Sequence, residues 1–453
     1  MKKIFRIKDI YSKINFFFWR NKKINFSKKV KVGGWVKYIR KNKEITFIKI
    51  NDGSTAENLQ LIFKNSELFS KISKKIKKIN FGSSILVEGE IIITYNCEQI
   101  CEIKIEKIIS LKLTESNYPL QKKNIPLNVI RNYPHLRIKT NYFLIIFQLR
   151  SFIIKTIHDF FYKEKFYYIS TPIITNNDSE GGGETFNLKN KKKINLTVSG
   201  QLEIESMVQG LGKVYNFSPC FRAEKFNTTK HLSEFWMIEA EITFIDLEFL
   251  INFVEKFIKN IIKITLEKKR KKLFFLENYG EKKKEIINKL EKIVKNKFKK
   301  INYYEAIEIL KKEKKFSNSQ ILKENIKINS ENEKFLCDYF ENIPVFITNY
   351  PKEIKAFYMK ENNDKKTVSC FDLIFPKIGE LVGGSIREDS YKIMKEKMRK
   401  KNISINSLKW YLDLRKFGYL PSGGFGIGFE RLLMFISDCD NIYDSIAYPF
   451  FNK

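Results

Sequence analysis

Long apolar segments are missing from this sequence of 453 residues. No apolar run approaches the roughly 18 residues that a helix needs to cross a bilayer, which argues against a membrane-spanning protein. The basic first segment, MKKIFRIKDIYSKINFFFWRNKK, has neither a long apolar region nor a cleavage site of small residues. It therefore does not predict a secretory signal, although an organellar transit peptide stays open.

Cysteine and histidine are also scarce. Of six cysteines only Cys97 and Cys101 lie close together, without the second pair that structural zinc sites use. Residues four apart in a strand share a face, so we predict two half-buried thiols there. This cysteine usage favours a reduced, cytoplasmic compartment. Of three histidines, only His231 lies in a context that suggests a function.

Acidic residues are outnumbered by basic ones. The 84 Lys and Arg against 51 Asp and Glu give a net charge of +33. A basic surface suits a polyanion such as RNA, because it supplies the phosphate-binding part of the affinity. However, the abundant Lys, Ile, Asn and Phe all use A/T-rich codons, and a biased genome would produce the same charge. The charge thus permits an RNA partner without demonstrating one.

The two common glycine-rich signatures of nucleotide binding, GxGxxG and GxxxxGK[ST], are absent. The segment PSGGFGIGFE instead places Gly424, Gly426 and Gly428 at every second position. Strand patterns with few crossover helices argue for an antiparallel sheet rather than a doubly wound one. A nucleotide, if one is used, would have to be bound by another design.

The patterns that are present divide the chain into three parts and predict an α+β protein. Residues 28–110 show strands separated by turn residues, with one helical stretch between the third and fourth, which is typical of an OB-fold β-barrel. We assign residues 1–112 to this domain and residues 113–137, with three prolines, to a linker. Residues 138–453 predict an antiparallel sheet flanked by helices, with a Lys-rich helical insertion at about 268–342.

Charged and aromatic residues gather in the stretch FRAEKFNTTKHLSEFW. Arg222 and Glu224 share a strand face, where they form either a structural salt bridge or a clamp for a phosphate or carboxylate. Phe235 adds an aromatic face on which a base could stack. Further along, Asp372 and Glu380 are of the type that holds Mg²⁺ between phosphates. Arg431, at the start of the last helix, suits a terminal phosphate.

These stretches resemble the signature motifs of the class II aminoacyl-tRNA synthetases. FRAE–loop–HLSEFWMIEAE is similar to motif 2, GFGIGFER to motif 3, and KFYYISTPII, ending at Pro172, to motif 1, which forms the dimer interface in that family. An N-terminal OB-fold marks the aspartyl, asparaginyl and lysyl subgroup. SEGGGETF and TVSGQLEIES are similar to the asparaginyl enzymes, and the resemblance covers roughly residues 28–450.

The resemblance implies an activity with two steps. Asparagine and ATP would form asparaginyl-adenylate and pyrophosphate, and the asparaginyl group would then pass to tRNA(Asn). The implied partners are L-asparagine, ATP, tRNA(Asn) and a second copy of the chain, with ATP and Mg²⁺ as the cofactors. Such a reaction depends on positioning and charge neutralisation rather than on covalent chemistry by side chains.

The same resemblance implies roles for single residues at the ATP site. Arg222 would bridge the α-phosphate and the amino-acid carboxylate, and Phe235 would stack on adenine. Glu380, with Asp372, would hold Mg²⁺, and Arg431 would complete the catalytic set with Arg222 and Glu380. The further ATP contacts implied are Glu224, His231 and Gly428.

Recognition of the asparagine side chain requires one hydrogen-bond donor and one acceptor. Arg387 matches the Arg that grips the side-chain carbonyl in this subgroup. QLEIES has Ile204 where the aspartyl enzymes carry a Lys, and we predict that the neighbouring Glu205 reads the amide. Glu224 competes for that role, and Glu205 could also face solvent. The remaining amino-acid contacts implied are Glu180, Gln201, Arg222 and, more weakly, Lys355.

On the N-terminal barrel, Phe47 and Gln60 match the aromatic and the amide with which the subgroup reads the middle base of the anticodon. Stacking together with an edge-reading amide is an expected way to recognise an unpaired base. Without the resemblance, both residues would be taken as barrel core or surface.

One departure from the family pattern stands at the C-terminus. The family usually ends with a Pro-Phe-Pro-Arg type sequence, whereas this chain has AYPFFNK, with Phe450 in place of the Arg. The alternatives to an asparaginyl enzyme are a non-discriminating aspartyl-tRNA synthetase, a synthetase-like amidating enzyme, and a nucleic-acid-binding protein with a decayed catalytic domain.

Overall fold

The structure is a computed structural model with two compact units, Met1–Ile145 and Ile146–Lys453. It describes the following residues: 4–19, 29–64, 76, 78–94, 99–120, 125–176, 185–188, 194–223, 228–280, 284–313 and 328–450. Within these residues no helix is both long enough and apolar enough to cross a membrane.

The first unit contains a closed barrel of five strands in the order β1-β2-β3-β5-β4. All neighbours are antiparallel except β3 and β5. Inward-facing apolar residues alternate with outward-facing polar ones, as a small barrel core requires. The predicted OB-fold is therefore confirmed. The strands are β1 Lys29–Lys41, β2 Ile45–Asn51, β3 Leu59–Lys64, β4 Ser84–Ile93 and β5 Cys101–Lys112.

The N-terminal segment forms helix α1 (Ile7–Trp19), which the sequence analysis missed. Ile7, Ile10, Tyr11 and Ile14 are buried with the barrel core. Their spacing of three, four and seven is the signal of an amphipathic helix, and it was available in the sequence. Two short helices, α2 (Leu127–Arg131) and α3 (Pro134–Arg137), follow the barrel. The helix predicted between the third and fourth strands lies outside the described residues, apart from positions 76 and 78–80.

The second unit is built on an eight-stranded sheet in the order β12-β13-β14-β15-β16-β11-β10-β6. The six central strands pair antiparallel, as predicted, while the pairs at the two edges, β12–β13 and β6–β10, are parallel. Its strands are β6 Tyr167–Tyr168, β10 Lys213–Phe221, β11 Glu234–Thr243, β12 Lys299–Asn302, β13 Val345–Thr348, β14 Cys370–Phe375, β15 Gly379–Ile386 and β16 Ser422–Gly428. A separate three-stranded sheet contains β7 Ile174–Thr175, β8 Asn187–Leu188 and β9 Ile194–Leu196.

Helices cover the large sheet through an aromatic core. The rings of Phe160 and Phe161 lie 5.0 and 5.2 Å, centroid to centroid, from that of Phe257. Asp246 caps the long α6 helix by accepting a hydrogen bond from the backbone N–H of Phe249 at 2.8 Å. The remaining helices are α4 Asn141–Lys163, α5 Gln201–Leu211, α6 Leu247–Glu277, α7 Ile286–Lys295, α8 Tyr303–Lys312, α9 Ser330–Tyr339, α10 Tyr391–Lys400, α11 Lys409–Leu414 and α12 Phe429–Ser437.

Two segments differ from their predictions. The Lys-rich stretch at 268–342 contains helices α7, α8 and α9, but it also contributes strand β12 to the edge of the large sheet. This strand has only four residues, KKIN, and its two lysines are exposed, so it carries little alternation from which a strand could be recognised. The strand predicted for KFYYISTPII is likewise shorter, because β6 pairs only at Tyr167 and Tyr168.

Candidate active site

A cavity of about 800 Å³ opens on one face of the large sheet. Its floor comes from the antiparallel strands β11, β14, β15 and β16, and helices α9 and α12 contribute to its wall. The pairing of these strands brings together residues that are far apart in the chain. The predicted site residues that line the cavity are Gln201, Arg222, His231, Phe235, Lys355, Asp372, Glu380, Arg387, Gly428 and Arg431.

Arg222 and Phe235 form one part of the cavity wall. Arg222 follows β10 directly, and its backbone N–H donates to the carbonyl of Ser233 at 2.9 Å, which extends the β10–β11 hairpin. Its guanidinium carbon lies 5.2 Å from the centre of the Phe235 ring, within the range of a cation–π contact. The hairpin thus presents a fixed positive charge beside an aromatic plane, which can bind an anion next to a ring.

Glu239 stands beneath this wall and fixes the beginning of α5. Its carboxylate accepts hydrogen bonds from the backbone N–H of Gly200 at 2.9 Å, from Asn216 Nδ2 at 2.8 Å and from Ser199 Oγ. Burial raises the pKa of Glu239, while these hydrogen bonds oppose the rise. The first residue of α5, Gln201, lines the cavity, and its buried Nε2 has no hydrogen-bond partner within the described residues. Such a donor is suited to a ligand oxygen.

Arg387 is only 3% exposed and reaches the cavity from the end of β15. Its Nε donates to both Glu241 oxygens, at 3.1 and 3.2 Å, and its NH1 donates to Ser385 Oγ at 2.6 Å. Burial raises the pKa of Glu241 to about 7, against the lowering effect of Arg387. A Cβ at Gly424 would overlap the Glu241 carboxylate, so the glycine strand β16 makes room for this buried pair.

Glu205 is the residue predicted to read the side-chain amide. It is fully buried and is absent from the cavity lining. Its oxygens accept hydrogen bonds from Tyr411 and Tyr419, both at 2.7 Å, and from Arg415. One oxygen lies 3.8 Å from Arg387 Nε. The possibility that Glu205 faces solvent is therefore wrong, and this geometry favours an action through Arg387 over a direct contact with the side-chain amide.

Asp372 and Glu380 converge from neighbouring strands. Asp372 is the register partner of Gly383. A Cβ built on Gly383 would lie 3.4 Å from Glu380 Oε1 and 3.9 Å from Asp372 Oδ1, so the two carboxylates meet over this glycine. Two carboxylates with open space above them fit Mg²⁺, which takes its other ligands from water and phosphate oxygens. In the part of the chain that is described, no group of three His, Cys, Asp or Glu is arranged to hold a metal by itself.

Lys355, a predicted contact of the amino acid, lies beside Asp372. Its ammonium forms an ion pair with Asp372 and lies 3.9 Å from the centre of the Tyr350 ring. Burial lowers the pKa of Lys355, but the Asp372 carboxylate outweighs it and the net pKa is raised. The structure thus places Lys355 beside the candidate metal ligands, so that its predicted contact with the amino acid stays untested.

The end of the cavity at Glu380 also carries basic side chains. Arg431, in the first turn of α12, donates from NH1 to the backbone carbonyl of Glu380 at 2.7 Å. His231 also lines the cavity, and its Nδ1 lies 2.5 Å from Thr228 Oγ1. Phe450, the residue that departs from the family pattern, stands in the same lining. This end therefore combines charge for phosphates with one aromatic side chain in place of an Arg.

The charged lining residues that the sequence analysis missed include Lys230, Glu333 and Glu430. Lys230 donates to the backbone carbonyl of Ile378 at 3.3 Å, and burial lowers its pKa. Glu333 belongs to the Lys-rich segment, whose composition gave no sign of a site residue. Burial raises its pKa to about 7, and the nearby negative charge of Glu380 adds to the rise. The predicted residues Glu180 and Glu224 lie outside the described residues.

In the first unit, Phe47 and Gln60 come from the neighbouring strands β2 and β3. Phe47 pairs with Ile62, and Lys49 pairs with Gln60, which puts Phe47 and Gln60 at diagonal positions of one face. Both are half-buried on the outside of the barrel. Gln60 Nε2 donates to Glu102 Oε1 at 2.6 Å, so its amide is held in place on this face.

Comparison with known proteins agrees with the geometry of both units. Residues 127–452 match the family of class II tRNA synthetases (D, K and N), and residues 30–111 match the OB-fold nucleic acid binding domain. The chain belongs to the class II tRNA synthetases of this D, K and N group.

Within that group, two relatives named asparagine–tRNA ligase are similar to this chain over nearly its whole length. The chain is 43% identical to an asparagine–tRNA ligase of Malacoplasma penetrans, over 93% of this chain and 94% of the relative. It is 42% identical to one of Mycoplasmopsis pulmonis, with the same coverage. It also superposes, with a TM-score of 0.84 and 29% identity, on the crystal structure of asparaginyl-tRNA synthetase from Pyrococcus horikoshii complexed with asparaginyl-adenylate, covering 93% of this chain and 94% of that one.

Proposed function

We propose that this chain is an asparagine–tRNA ligase, which activates L-asparagine with ATP and transfers it to tRNA(Asn). The observation that carries the proposal is the cavity itself. It combines an Arg beside an aromatic ring, two converging carboxylates and a buried Arg on one antiparallel sheet. The relatives with this name cover nearly the whole chain, so the proposal concerns both steps of the reaction.

In the first step, the asparagine carboxylate attacks the α-phosphorus of ATP, and pyrophosphate leaves. Arg222 would bind both the carboxylate and the α-phosphate with its guanidinium, and the adenine ring would stack on the neighbouring Phe235. Asp372 and Glu380 would hold Mg²⁺, which supplies positive charge at the phosphates when it is bound. Arg431 adds charge at the outer phosphates. These groups lower the barrier by positioning and by electrostatic stabilisation of the transition state.

The buried Arg387 would donate to the side-chain carbonyl of asparagine. Its pairing with Glu241 and its distance of 3.8 Å from Glu205 leave its charge largely compensated. A compensated Arg suits a neutral amide better than a carboxylate, because an additional negative charge would have to be buried beside two carboxylates. This arrangement would favour asparagine over aspartate without a direct contact from Glu205.

The further partners follow from surface features. Phe47 and Gln60 would bind the middle base of the anticodon, by stacking and by edge recognition. Large apolar side chains are exposed around motif 1, which supports a homodimer through this surface: Tyr162, Tyr167, Tyr168, Ile173 and Ile174. The described cysteines are buried free thiols, which supports a reducing, cytoplasmic compartment.

Exchange of radioactive pyrophosphate into ATP, measured in parallel with asparagine and with aspartate, tests the proposal. We expect exchange with asparagine and little with aspartate, followed by charging of tRNA(Asn). Equal exchange with both amino acids would indicate a non-discriminating aspartyl enzyme. Exchange with neither would favour a nucleic-acid-binding protein without activity.

A further inference from the structure

Glu333 links the Lys-rich segment to the phosphate end of the cavity. It lies in the first turn of α9 and lines the same cavity as Glu380. Its Oε2 accepts a hydrogen bond from the backbone N–H of Glu380 at 3.1 Å. A side chain from one segment thus holds the main chain of a residue whose own side chain is a candidate Mg²⁺ ligand.

The backbone around this hydrogen bond is adapted to it. Gly379, which precedes Glu380, has a φ of +88°, in the region that favours glycine. A Cβ at this position would lie 2.5 Å from Glu333 Oε2, closer than two such atoms can stand. The close approach of the Glu333 carboxylate therefore depends on this glycine, and the contact is tight.

The neighbours of Glu333 are charged residues that line the cavity, as expected at a phosphate-binding site. An ordinary packing contact between a helix and a sheet would be apolar. Arg431 donates to the carbonyl of Glu380, so that both the N–H and the C=O of this residue are held by side chains that line the cavity. Lys230 and Arg431 both interact electrostatically with Glu333. Glu333 thereby interacts with one residue each of the motif 2 loop, β15 and α12.

We propose that Glu333 is a positioning residue for metal-bound ATP, which holds the main chain at Glu380 so that its carboxylate meets that of Asp372 over Gly383. The inference rests on the proposed function, because it assumes that this end of the cavity binds a nucleoside triphosphate with a divalent cation. It assigns a role in the active site to a segment outside the three signature motifs. A residue that positions a metal ligand changes metal affinity by roughly ten- to a hundredfold when it is removed.

Calorimetric titration of the full chain with ATP tests this role without any turnover. Each protein is titrated at several Mg²⁺ concentrations and again in EDTA. Glu333→Asp shortens the side chain by one methylene and withdraws the acceptor from Glu380, and Glu333→Ala removes it. Glu333→Gln keeps an acceptor oxygen of the same reach. Glu331→Gln is the matched control, since Glu331 stands in the same helical turn but is exposed and is not part of the cavity lining.

We expect Glu333→Asp and Glu333→Ala to need about tenfold more Mg²⁺ for half-maximal ATP binding, with unchanged binding in EDTA. Glu333→Gln should restore most of the wild-type Mg²⁺ dependence, and Glu331→Gln should match the wild type. A role limited to packing α9 would lower the melting temperature and leave the Mg²⁺ dependence unchanged, which would overturn the inference. If Glu333→Ala does not fold, Glu333→Asp decides in the same way.

The same titration separates this inference from the proposed function. If the wild-type protein binds no ATP at any Mg²⁺ concentration, the proposed function fails. If the wild-type protein binds ATP in a Mg²⁺-dependent manner and Glu333→Asp behaves identically, only the role of Glu333 is overturned.

Discussion

The two units present their functional side chains in opposite ways. In the first unit, Phe47 and Gln60 lie half-buried on the outside of a barrel, and no carboxylate is buried among the described residues of that unit. In the second unit, a group of charged residues in or next to the cavity is almost fully removed from solvent, although Glu380 is exposed: Glu205, Glu239, Glu241, Arg387 and Arg415. Each has partners, as buried charges require.

This contrast predicts different sensitivities. A buried charge whose partner is removed costs several kcal/mol, so substitutions in the cavity should change activity or stability strongly. A side chain on a solvated face loses only its own contact with the ligand. We therefore expect substitutions on this barrel face to leave stability and amino-acid activation unchanged. Their effect should be seen only in reactions that include tRNA.

Replacement of Arg222 should have the largest effect. Arg222→Ala removes the charge that lies beside Phe235, where we place the α-phosphate. We expect pyrophosphate exchange to fall about a thousandfold, as is typical when a transition-state contact to developing charge is lost. Arg399→Ala, an exposed Arg outside the cavity lining, is the control. A loss below tenfold would show that Arg222 is not a transition-state contact, and filter binding of tRNA should be unaffected in either variant.

Glu205→Gln should have an intermediate effect. The change keeps the volume but removes one of the two carboxylates that face Arg387. The less compensated Arg387 would then accept an aspartate side chain more readily. We expect the asparagine-to-aspartate ratio of kcat/KM to fall roughly thirtyfold, which corresponds to a loss of about 2 kcal/mol in discrimination. The control is Glu203→Gln, on the same helix but only partly buried, and an unchanged ratio in Glu205→Gln would exclude any part for it in discrimination.

Much of the cavity was predictable because its residues occur in ordered motifs. Ten predicted site residues line it, and the motif 2 and motif 3 stretches form the hairpin and the glycine strand as expected. The burial of Glu205 was not predicted, because a one-dimensional pattern shows that a residue is near a site but not which way it faces. Its true neighbours, Tyr411 and Arg415, are more than 200 positions away.

Other features escaped because their determinants are not local. The contact from which we infer a role for Glu333 is made with the main-chain N–H of Glu380 in β15, and a main-chain N–H cannot be recognised from residue types. Strand β12 is recognised by its parallel pairing with β13 rather than by its own residues. Helix α1, by contrast, has an apolar spacing that indicates an amphipathic helix. It was missed because the segment was considered only for its basic composition.

On the barrel, Phe47→Ala should separate the two units functionally. Loss of a base stacked on an aromatic ring costs about 1–3 kcal/mol, so we expect KM for tRNA(Asn) to rise about tenfold while pyrophosphate exchange stays at the wild-type level. Ile92→Ala serves as the control, because Ile92 is an exposed apolar residue on β4, which is not a neighbour of β2 or β3. An unchanged KM in Phe47→Ala would remove this face from the proposed anticodon contact.

The smallest expected effect is a dependence of stability on pH that belongs to the second unit. Burial raises the pKa of Glu241 from 4.5 to about 7, with Arg387, Glu205 and Glu239 as the charged groups around it. Between these two values the folded protein holds a proton that the unfolded chain has released. The free energy of unfolding should therefore decrease as the pH rises through this window, by at most about 1.4 kcal/mol per pH unit for one proton.

Urea unfolding at about pH 5, 6 and 7 measures this slope. A parent protein with Trp19 and Trp35 replaced by Phe retains only Trp236 and Trp410, so its fluorescence reports on the second unit alone. In this parent, Glu241→Gln should be less stable at pH 7 and above, where Arg387 loses a charged partner, and its stability should vary less with pH between pH 5 and 7. An equal slope in the two proteins would mean that Glu241 takes up no proton in the folded state across this pH range, and that its burial does not raise its pKa as expected.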